Sequence, residues 1–282
     1  MMIDLHAHSN VSDGTQTPAD LLAAAAAARL DVVALTDHDS TDGWEPALEA
    51  ARQHGVGLIP GMEISCKTAD GVSVHLLSYL HDRSNLALLE EITRAKDARL
   101  SRAERMVDRL SQDYPLSWDD VSAHLAPGAT VGRPHIADAL VAAGIVADRN
   151  EAFASILTAQ SPYFLSHYAA DPVTAVQLVR AAGGVPVFAH PMASTRGRVA
   201  PPEVFQDMID AGLLGVEVDH RDNTAQGRQW LRKLARERGL FVTGSSDYHG
   251  AGKPNLLGEN VTAPEVLEQI VDTATGSGAY LP

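Results

Sequence analysis

Histidine and carboxylate side chains recur where predicted strands end, and they are residue types that bind metal ions. They are His6, His8, Asp13, Asp37, His38, Glu63, His75, His190, Asp247 and His249. In a barrel of parallel strands the C-terminal strand ends gather on one face, and active sites are built on that face. Imidazole and carboxylate ligands without cysteine suit Zn²⁺, Mn²⁺ or Fe²⁺ in a hydrolytic site. The pattern therefore predicts a metallohydrolase that holds more than one ion.

The pair His6 and His8 shows how a strand end can direct two ligands to one ion. Residues i and i+2 of a strand point to the same side, so both imidazoles can reach one cation. Such a pair is common by chance, but Thr36-Asp37-His38 and Ser246-Asp247-Tyr248-His249 repeat an acid-plus-histidine arrangement. Together with the other predicted strand ends, these motifs favour a metal centre over a scatter of buried structural histidines.

The elements that must position these residues alternate between strands and helices. Apolar runs end at or near the candidate ligands, and they cover residues 3–5, 32–36, 57–61, 72–77, 185–189, 214–218 and 241–244. Capping residues followed by proline, as in Thr17-Pro18 and Asp171-Pro172, open helices between the strands. The alternation predicts an α/β fold, a (β/α) barrel with one unit fewer than eight.

One segment, residues 85–167, breaks this alternation because it contains only helical patterns and loops. We expect it to be a helical insertion that caps the barrel mouth, with residues 1–84 and 168–282 forming the barrel. A separate bundle without a part in the chemistry is the alternative. Gly132-Arg133-Pro134-His135 favours the cap, because an arginine and a histidine open a helix there and helix N-terminal amides favour an anion.

Charge and composition limit the partners of the chain. Lys and Arg number 22 against 36 Asp and Glu, a formal charge of −14. The longest basic pattern, at Lys96, Arg99, Arg102 and Arg105, is interpreted as exposed charge on a helix, so no long nucleic-acid groove is expected. The N-terminus has no signal-peptide pattern, and no apolar run reaches the roughly 18 residues of a membrane span. With a single cysteine besides, we expect a cytoplasmic protein that does not use a membrane.

The motifs resemble those of the polymerase and histidinol phosphatase (PHP) family. They are His6-Ala7-His8, Asp13-Gly14, Thr36-Asp37-His38, Gly61-Met62-Glu63, Ala189-His190-Pro191 and Ser246-Asp247-Tyr248-His249. The resemblance implies a distorted (β/α)₇ barrel with three divalent ions, Mn²⁺ first, with Fe²⁺ or Zn²⁺ as alternatives. It also implies how the ligands divide: His6, His8, Glu63 and Asp247 at the first ion, Glu63, His75 and His190 at the second, and Asp13, His38 and His249 at the third.

A centre of this kind would hydrolyse phosphate esters without a dedicated protein base. A water shared by two cations loses its proton near neutral pH and becomes the nucleophile, and Glu63 would bridge those cations. Asp37 is expected to orient a ligand histidine rather than to bind metal. His220 occupies a position where members of the subgroup usually have a histidine; it could protonate the leaving oxygen, contact phosphate or serve the structure alone.

Substrate contacts are predicted on the cap and on the barrel. Arg133 and His135 resemble the Gly-Arg-Pro-His element of the nucleotide-hydrolysing PHP subgroup, and Arg196 or Arg198 would point to the same mouth. The predicted substrate is a small nucleotide phosphate, either a 3′,5′-nucleoside bisphosphate or a short oligonucleotide. Two alternatives stay open. One is another small phosphate, such as histidinol phosphate or a cyclic sugar phosphate, and the other is a non-catalytic metal-binding PHP module like those that accompany bacterial polymerases.

Overall fold

The strands form one sheet that curves into a nearly closed barrel. The computed structural model of the protein describes the backbone of residues 1–282 and every side chain except that of Arg196. Within that description the sheet runs in chain order: β1 (Ile3–Ala7), β2 (Val32–Leu35), β3 (Gly57–Lys67), β4 (Ser73–Tyr79), β5 (Val185–Phe188), β6 (Gly215–Asp219) and β7 (Phe241–Gly244). A parallel bridge between Ala7 and Tyr248 connects β1 to the segment after β7. The predicted α/β class and distorted (β/α)₇ barrel are confirmed.

One strand runs against its neighbours, and the prediction of parallel strands throughout was wrong there. β4 pairs antiparallel with β3 and with β5, whereas the other neighbours pair in parallel. The reason is the connection, since only residues 68–72 separate β3 from β4 and a parallel crossover needs a dozen or more. β3 also continues beyond the predicted end at Gly61 and reaches Lys67.

Helices follow most of the strands and begin at capping residues. They are α1 (Pro18–Ala27), α2 (Trp44–His54), α3 (Leu86–Leu110), α4 (Trp118–Ser122), α5 (Arg133–Ala142), α6 (Arg149–Ala154), α7 (Pro172–Ala181), α8 (Pro202–Asp210), α9 (Ala225–Arg238) and α10 (Pro264–Thr273). Thr17 Oγ1 accepts a hydrogen bond from the Asp20 amide at the start of α1, as the cap predicted. α10 was not predicted, although Pro264 in its first turn is an ordinary start signal for a helix. Among the described helices none has the length and apolar character that crossing a membrane requires.

Two buried apolar clusters hold the strands in place. One joins β1 to β5 with α10 and includes Ile3, Leu5, Tyr79 and Ile270. Within it the Tyr79 hydroxyl donates to the Leu5 carbonyl oxygen at 2.8 Å. The other cluster packs α1 and α2 against β2. Together they fix the strands whose ends and edges carry the predicted ligands.

The chain between β4 and α7 is helical in the described structure, from α3 to α6. Buried residues of this segment, among them Met106, Ile136 and Leu157, form an apolar cluster of their own. α3 packs against both the barrel and the helical segment. Leu88 and Ile92 near its start pack with the barrel residues, whereas Met106 near its end belongs to the cluster of the helical segment. The boundaries of a cap at residues 85–167 stay a prediction.

Candidate metal centre

The nine predicted metal ligands meet at one end of the barrel. Most of them follow a strand, as His8 follows β1 and His38 follows β2, while Glu63 lies within β3. His75 was predicted near a strand end of a parallel barrel, but it lies in the first half of β4. Because β4 runs opposite to its neighbours, its beginning lies beside their C-terminal ends. The antiparallel strand therefore brings His75 to the same site.

The first predicted ligand set forms a compact buried group. One ligand atom from each of His6, His8, Glu63 and Asp247 lies within 4.8 Å of the others. Glu63 Oε2 is 3.3 Å from His6 Nε2 and 3.1 Å from His8 Nε2. Asp247 Oδ1 is 3.4 Å from each of the same two nitrogens. Two imidazoles and two carboxylates thus face one point, the donor set that a divalent transition metal prefers.

The second set meets at the other oxygen of Glu63. Oε1 of that residue lies 2.9 Å from His75 Nδ1 and 3.1 Å from His190 Nε2. His38 Nδ1 is 3.3 Å from Glu63 Oε2, so His38 lies between this set and the next. One carboxylate faces two groups of histidines, which is the placement that a bridging ligand needs.

The third set surrounds Asp13. His249 Nε2 lies 3.1 Å from Asp13 Oδ1, and His38 Nε2 lies 3.9 Å from Asp13 Oδ2. The structure adds His8, which belongs to the same group of atoms within 4.8 Å. Burial alone would raise the pKa of Asp13, but His249 and His38 hold it well below its usual range. Asp13 is therefore ionised and able to bind a cation.

Several buried polar atoms of this centre lack hydrogen-bond partners and are placed where they could bind a cation. Asp13 Oδ1, His38 Nδ1 and His249 Nε2 are buried and make no well-oriented hydrogen bond within the described residues. Burial lowers the pKa of His8, yet hydrogen bonds to Asp247 and Glu63 raise it to about 9. The surrounding carboxylates thus attract positive charge, which a bound metal ion would supply while the His8 imidazole stayed neutral and able to coordinate it. The donor types, their burial and their unmet hydrogen bonds all suit divalent metal ions.

Glu217 holds two of the predicted ligands, and sequence reasoning missed it. Its Oε1 lies 2.9 Å from His6 Nδ1, and its Oε2 accepts from the backbone amide of His190 at 2.7 Å. Burial raises the pKa of Glu217, but His6 lowers it to about 2, so the carboxylate is ionised. Such a partner fixes the orientation of a ligand imidazole. The available signal was a glutamate within the apolar run of β6.

Asp37 acts by a longer route than predicted. Its carboxylate accepts hydrogen bonds from the Ser9 amide at 2.8 Å, the Ser9 hydroxyl at 2.6 Å and the Ser12 hydroxyl at 2.7 Å. The Ser12 oxygen in turn lies 3.3 Å from His8 Nδ1. Asp37 therefore fixes the loop after β1 and reaches a ligand histidine through Ser12 rather than directly.

His135 contacts other protein atoms through both ring nitrogens, and its predicted contact with a substrate phosphate stays a prediction. Its Nδ1 accepts from the Gly132 amide at 3.1 Å, and its Nε2 lies 2.8 Å from the Ser12 carbonyl oxygen. Burial lowers the pKa of His135, which agrees with a neutral ring whose Nε2 donates to that oxygen. Both nitrogens are occupied, so His135 ties the cap segment to the loop that carries Asp13.

A cleft of about 730 Å³ opens between the histidines and the cap segment, and His75, His190 and Arg133 line it. Arg133 also donates to the Leu157 carbonyl at 3.0 Å. Arg198 lies at the exposed rim, where it pairs with Asp70 at 3.4 Å. The side chain of Arg196 lies outside the described residues, so its phosphate contact stays a prediction.

His220 and Lys253 both lie close to the Asp247 carboxylate. His220 is buried, and its Nε2 is 3.6 Å from Asp247 Oδ2. Lys253 Nζ is 3.0 Å from the same oxygen and lines the cleft. Lys253, which was not among the predicted site residues, is thus open to a ligand in the cleft. The role of His220 as a proton donor stays a prediction.

Comparisons with known proteins agree with this geometry. The family model that matches is the PHP domain, over residues 4–152. A 3′,5′-nucleoside bisphosphate phosphatase of Chromobacterium violaceum is 32% identical, over 89% of this chain and 88% of that protein. A 5′-3′ exoribonuclease of Haemophilus influenzae is 33% identical, over 87% of this chain and 89% of that protein. A solved structure from Bifidobacterium adolescentis, provisionally assigned as a metal-dependent phosphoesterase, has a TM-score of 0.94 and 43% identity, covering 97% of this chain and 96% of its own.

Proposed function

Because this chain belongs to the PHP family and is a phosphoric ester hydrolase, we propose that it cleaves a small nucleotide phosphate, either a 3′,5′-nucleoside bisphosphate or a short oligonucleotide. The observation that carries the proposal is the cleft, which is lined by His75, His190 and Arg133. A cleft of about 730 Å³ is of the size that takes a ligand as large as a nucleotide. The names of the two curated relatives support the same substrate class.

The three donor sets would hold the metal ions, with Glu63 shared between the first two. We propose three divalent ions, Mn²⁺ first with Fe²⁺ or Zn²⁺ as alternatives, because nine donors exceed the four to six positions that one ion usually offers. When bound, such ions lower the pKa of a water and neutralise charge on a phosphoryl group.

Residues around the metal donors would orient the donor side chains and contact the substrate. Glu217 fixes the ring of His6, and Asp37 fixes the loop of Asp13 and, through Ser12, the ring of His8. Lys253 carries a positive charge into the cleft beside Asp247. A charge there can stabilise phosphoryl oxygens as negative charge moves toward the leaving group. His220 is the proposed source of a proton for that group.

A panel of substrates tests the proposal. Protein loaded with Mn²⁺ would be assayed for phosphate release from three monoesters, adenosine 3′,5′-bisphosphate, histidinol phosphate and p-nitrophenyl phosphate. Cleavage of a short oligonucleotide and of a cyclic sugar phosphate would be followed by chromatography of the products, because hydrolysis of a phosphodiester leaves a monoester and releases no inorganic phosphate. We expect the highest kcat/KM on the bisphosphate or the oligonucleotide, and almost none in a Glu63→Gln control prepared in parallel. Good activity on the cyclic phosphate or histidinol phosphate beside none on any nucleotide would overturn the substrate class.

A further inference from the structure

His190 has a strained backbone, although it presents a donor to the metal centre. Its φ is +30°, on the left-handed side of φ that residues other than glycine seldom adopt. A residue keeps such a conformation only where its surroundings enforce it. His190 lies two residues after the end of β5. The contacts of the segment that follows β5, residues 189–193, therefore decide where the imidazole ring of His190 points.

The neighbouring strand β6 and the turn after it supply these contacts. β6 pairs in parallel with β5. The backbone amide of His190 donates to Oε2 of Glu217 on β6 at 2.7 Å. Two residues later, the backbone amide of Met192 donates to Oδ1 of Asn223 at 2.9 Å. The segment that carries His190 is thus fixed at two points by residues of one neighbouring element.

Asn223 uses its whole amide group to join the two strand ends. Its Nδ2 donates to the carbonyl oxygen of Glu217 at 2.9 Å and to that of Val218 at 3.1 Å, while its Oδ1 accepts from Met192. Asn223 is only 2% exposed, so water does not compete for these groups. An ionised aspartate could not replace it, because a carboxylate has no hydrogen-bond donor.

Close packing of α9 against Met192 restrains the same segment in a second way. Gly227 lies in the first turn of α9 and is buried. A Cβ atom at this position would lie 2.6 Å from Met192 Cβ and 2.8 Å from Met192 Cγ, which is closer than carbon atoms pack. Glycine permits this approach because it has no side chain. Asn223 holds the segment by hydrogen bonds, and Gly227 allows α9 to hold it by packing.

The segment that these residues hold leads directly to the second donor set. His190 Nε2 lies 3.1 Å from Glu63 Oε1, and the ring centres of His190 and His75 are 5.2 Å apart. The described hydrogen bonds of the Asn223 side chain all go to backbone atoms instead. A change at Asn223 therefore reaches the second donor set through the position of His190.

We propose that Asn223 is a positioning residue for the second donor set, which fixes His190 and so sets the affinity of the protein for one metal ion. The inference rests on the proposed division of the donors among the ions. It goes further because it assigns the strength of one position to a side chain outside the nine donors. Loss of a residue that orients a metal ligand typically weakens metal binding about tenfold to a hundredfold.

Metal retention by the whole protein tests this role. Asn223→Asp keeps the size of the side chain and an acceptor for Met192, but it removes both donors of Nδ2. Protein loaded with Mn²⁺ would be dialysed against buffers of graded free Mn²⁺, and the ions per chain would be counted. We expect Asn223→Asp to lose one ion per chain at a free Mn²⁺ concentration about tenfold to a hundredfold higher than the wild type does.

Asn85→Asp is the matched control, because it makes the same chemical change outside the metal centre. Asn85 caps α3, where its Oδ1 accepts from the Leu88 amide at 3.1 Å. Aspartate caps a helix as well as asparagine does. This variant should retain all ions as the wild type does, and circular dichroism would show that each variant is folded.

A double variant separates positioning from a general loss of stability. His190→Ala removes the donor that Asn223 is proposed to hold. If Asn223 acts through His190, Asn223→Asp combined with His190→Ala should lose no more metal than His190→Ala alone, whereas independent effects would add. Gly227→Ala displaces the same segment and leaves the Asn223 amide intact. It should weaken the binding of the same single ion, and it tests the inference even if Asn223→Asp does not fold.

The outcomes separate this inference from the proposed division of the donors. Loss of an ion in His190→Ala, beside wild-type retention in Asn223→Asp and Gly227→Ala, would reject the role of Asn223 and leave the division standing. Additive losses in the double variant would also reject that role. Wild-type retention in His190→Ala would reject the division itself, and the role of Asn223 with it.

Discussion

His6 Nδ1 and Glu217 Oε1 lie 2.9 Å apart, and both side chains are fully buried. Because an ionised carboxylate can only accept a hydrogen bond, this contact places a proton on Nδ1 and turns Nε2 toward Glu63 and Asp247. The orientation of a ligand histidine is thus set by a residue that is not itself among the nine donors. Partners of this kind fix the tautomer and orientation of the ligand imidazole, and their loss weakens metal binding.

Glu217→Gln should weaken metal binding by about tenfold to a hundredfold. The amide oxygen can still accept from His6, but the negative charge that supports the ligand is lost. Metal content after dialysis against graded concentrations of chelator measures the effect. Glu237→Gln removes an equal charge from a side chain that is 56% exposed, and it should retain metal like the wild type. Equal retention in Glu217→Gln would show that the contact does not support the centre.

Glu63→Gln should lower turnover by orders of magnitude while the fold persists. Glu63 faces two donor sets, so its replacement removes the carboxylate that would separate two cations. Phosphate release from p-nitrophenyl phosphate gives the rate, and circular dichroism checks the fold. A variant with more than about a tenth of wild-type activity, a barrier change below ~1.4 kcal/mol, would contradict the bridging role.

Arg149→Gln should reduce the metal content by about one ion per chain. Arg149 Nη1 donates to the Asp13 carbonyl oxygen at 3.2 Å, and the rest of its guanidinium group binds both oxygens of Asp138. Without that contact the loop of the third donor set loses a support from the cap segment. Metal analysis of protein grown with added manganese measures the change. Arg109→Gln is the control, because Arg109 donates to the Pro162 carbonyl at 2.9 Å and not to the loop of Asp13. The same ion content in both variants would show that the contact with Arg149 does not support metal binding by the loop of Asp13.

Tyr79→Phe should lower the free energy of unfolding by about 1 kcal/mol, the usual net value of a buried hydrogen bond. The Tyr79 hydroxyl is buried and donates to the Leu5 carbonyl oxygen. Urea denaturation measures the loss, and the m-value should not change. Activity with saturating metal should stay within about twofold, because the hydroxyl lies outside the donor sets. A large fall in activity would assign Tyr79 to the centre instead of to the barrel.

The donors were predictable because the rules that locate them are local. Alternation along β1 brings His6 and His8 together, and the order of strands in a barrel brings the remaining ends to one face. The antiparallel direction of β4 could also have been predicted from the sequence. Asp70-Gly71 between two apolar runs is a strong hairpin signal, and it argues against a parallel crossover at that point.

The cap contacts were not predictable, because they depend on segments that are distant along the chain. Arg102 is buried by a loop that contains Leu165, 63 residues later. His135 is occupied by the carbonyl of Ser12, 123 residues earlier. In the sequence, a charged helix residue that is buried by a distant segment looks the same as one that is exposed to solvent, which is why the interpretation of Arg102 as exposed was wrong. The two can be told apart only when the segment that covers the helix is known.

The antiparallel pairing of β3 and β4 has a mechanical consequence. Glu63 and His75 belong to a continuous hydrogen-bonded ladder, in which Glu63 pairs with Leu77 and His75 with Ser65. His8, Asp13, His38, His190, Asp247 and His249 lie on connecting segments instead. Connecting segments deform more easily than hydrogen-bonded strands, so side chains on strands keep their positions more accurately. The shared carboxylate is thus the most rigidly held donor of the centre, and we expect ions that enter or leave to displace the surrounding loops while Glu63 keeps its place.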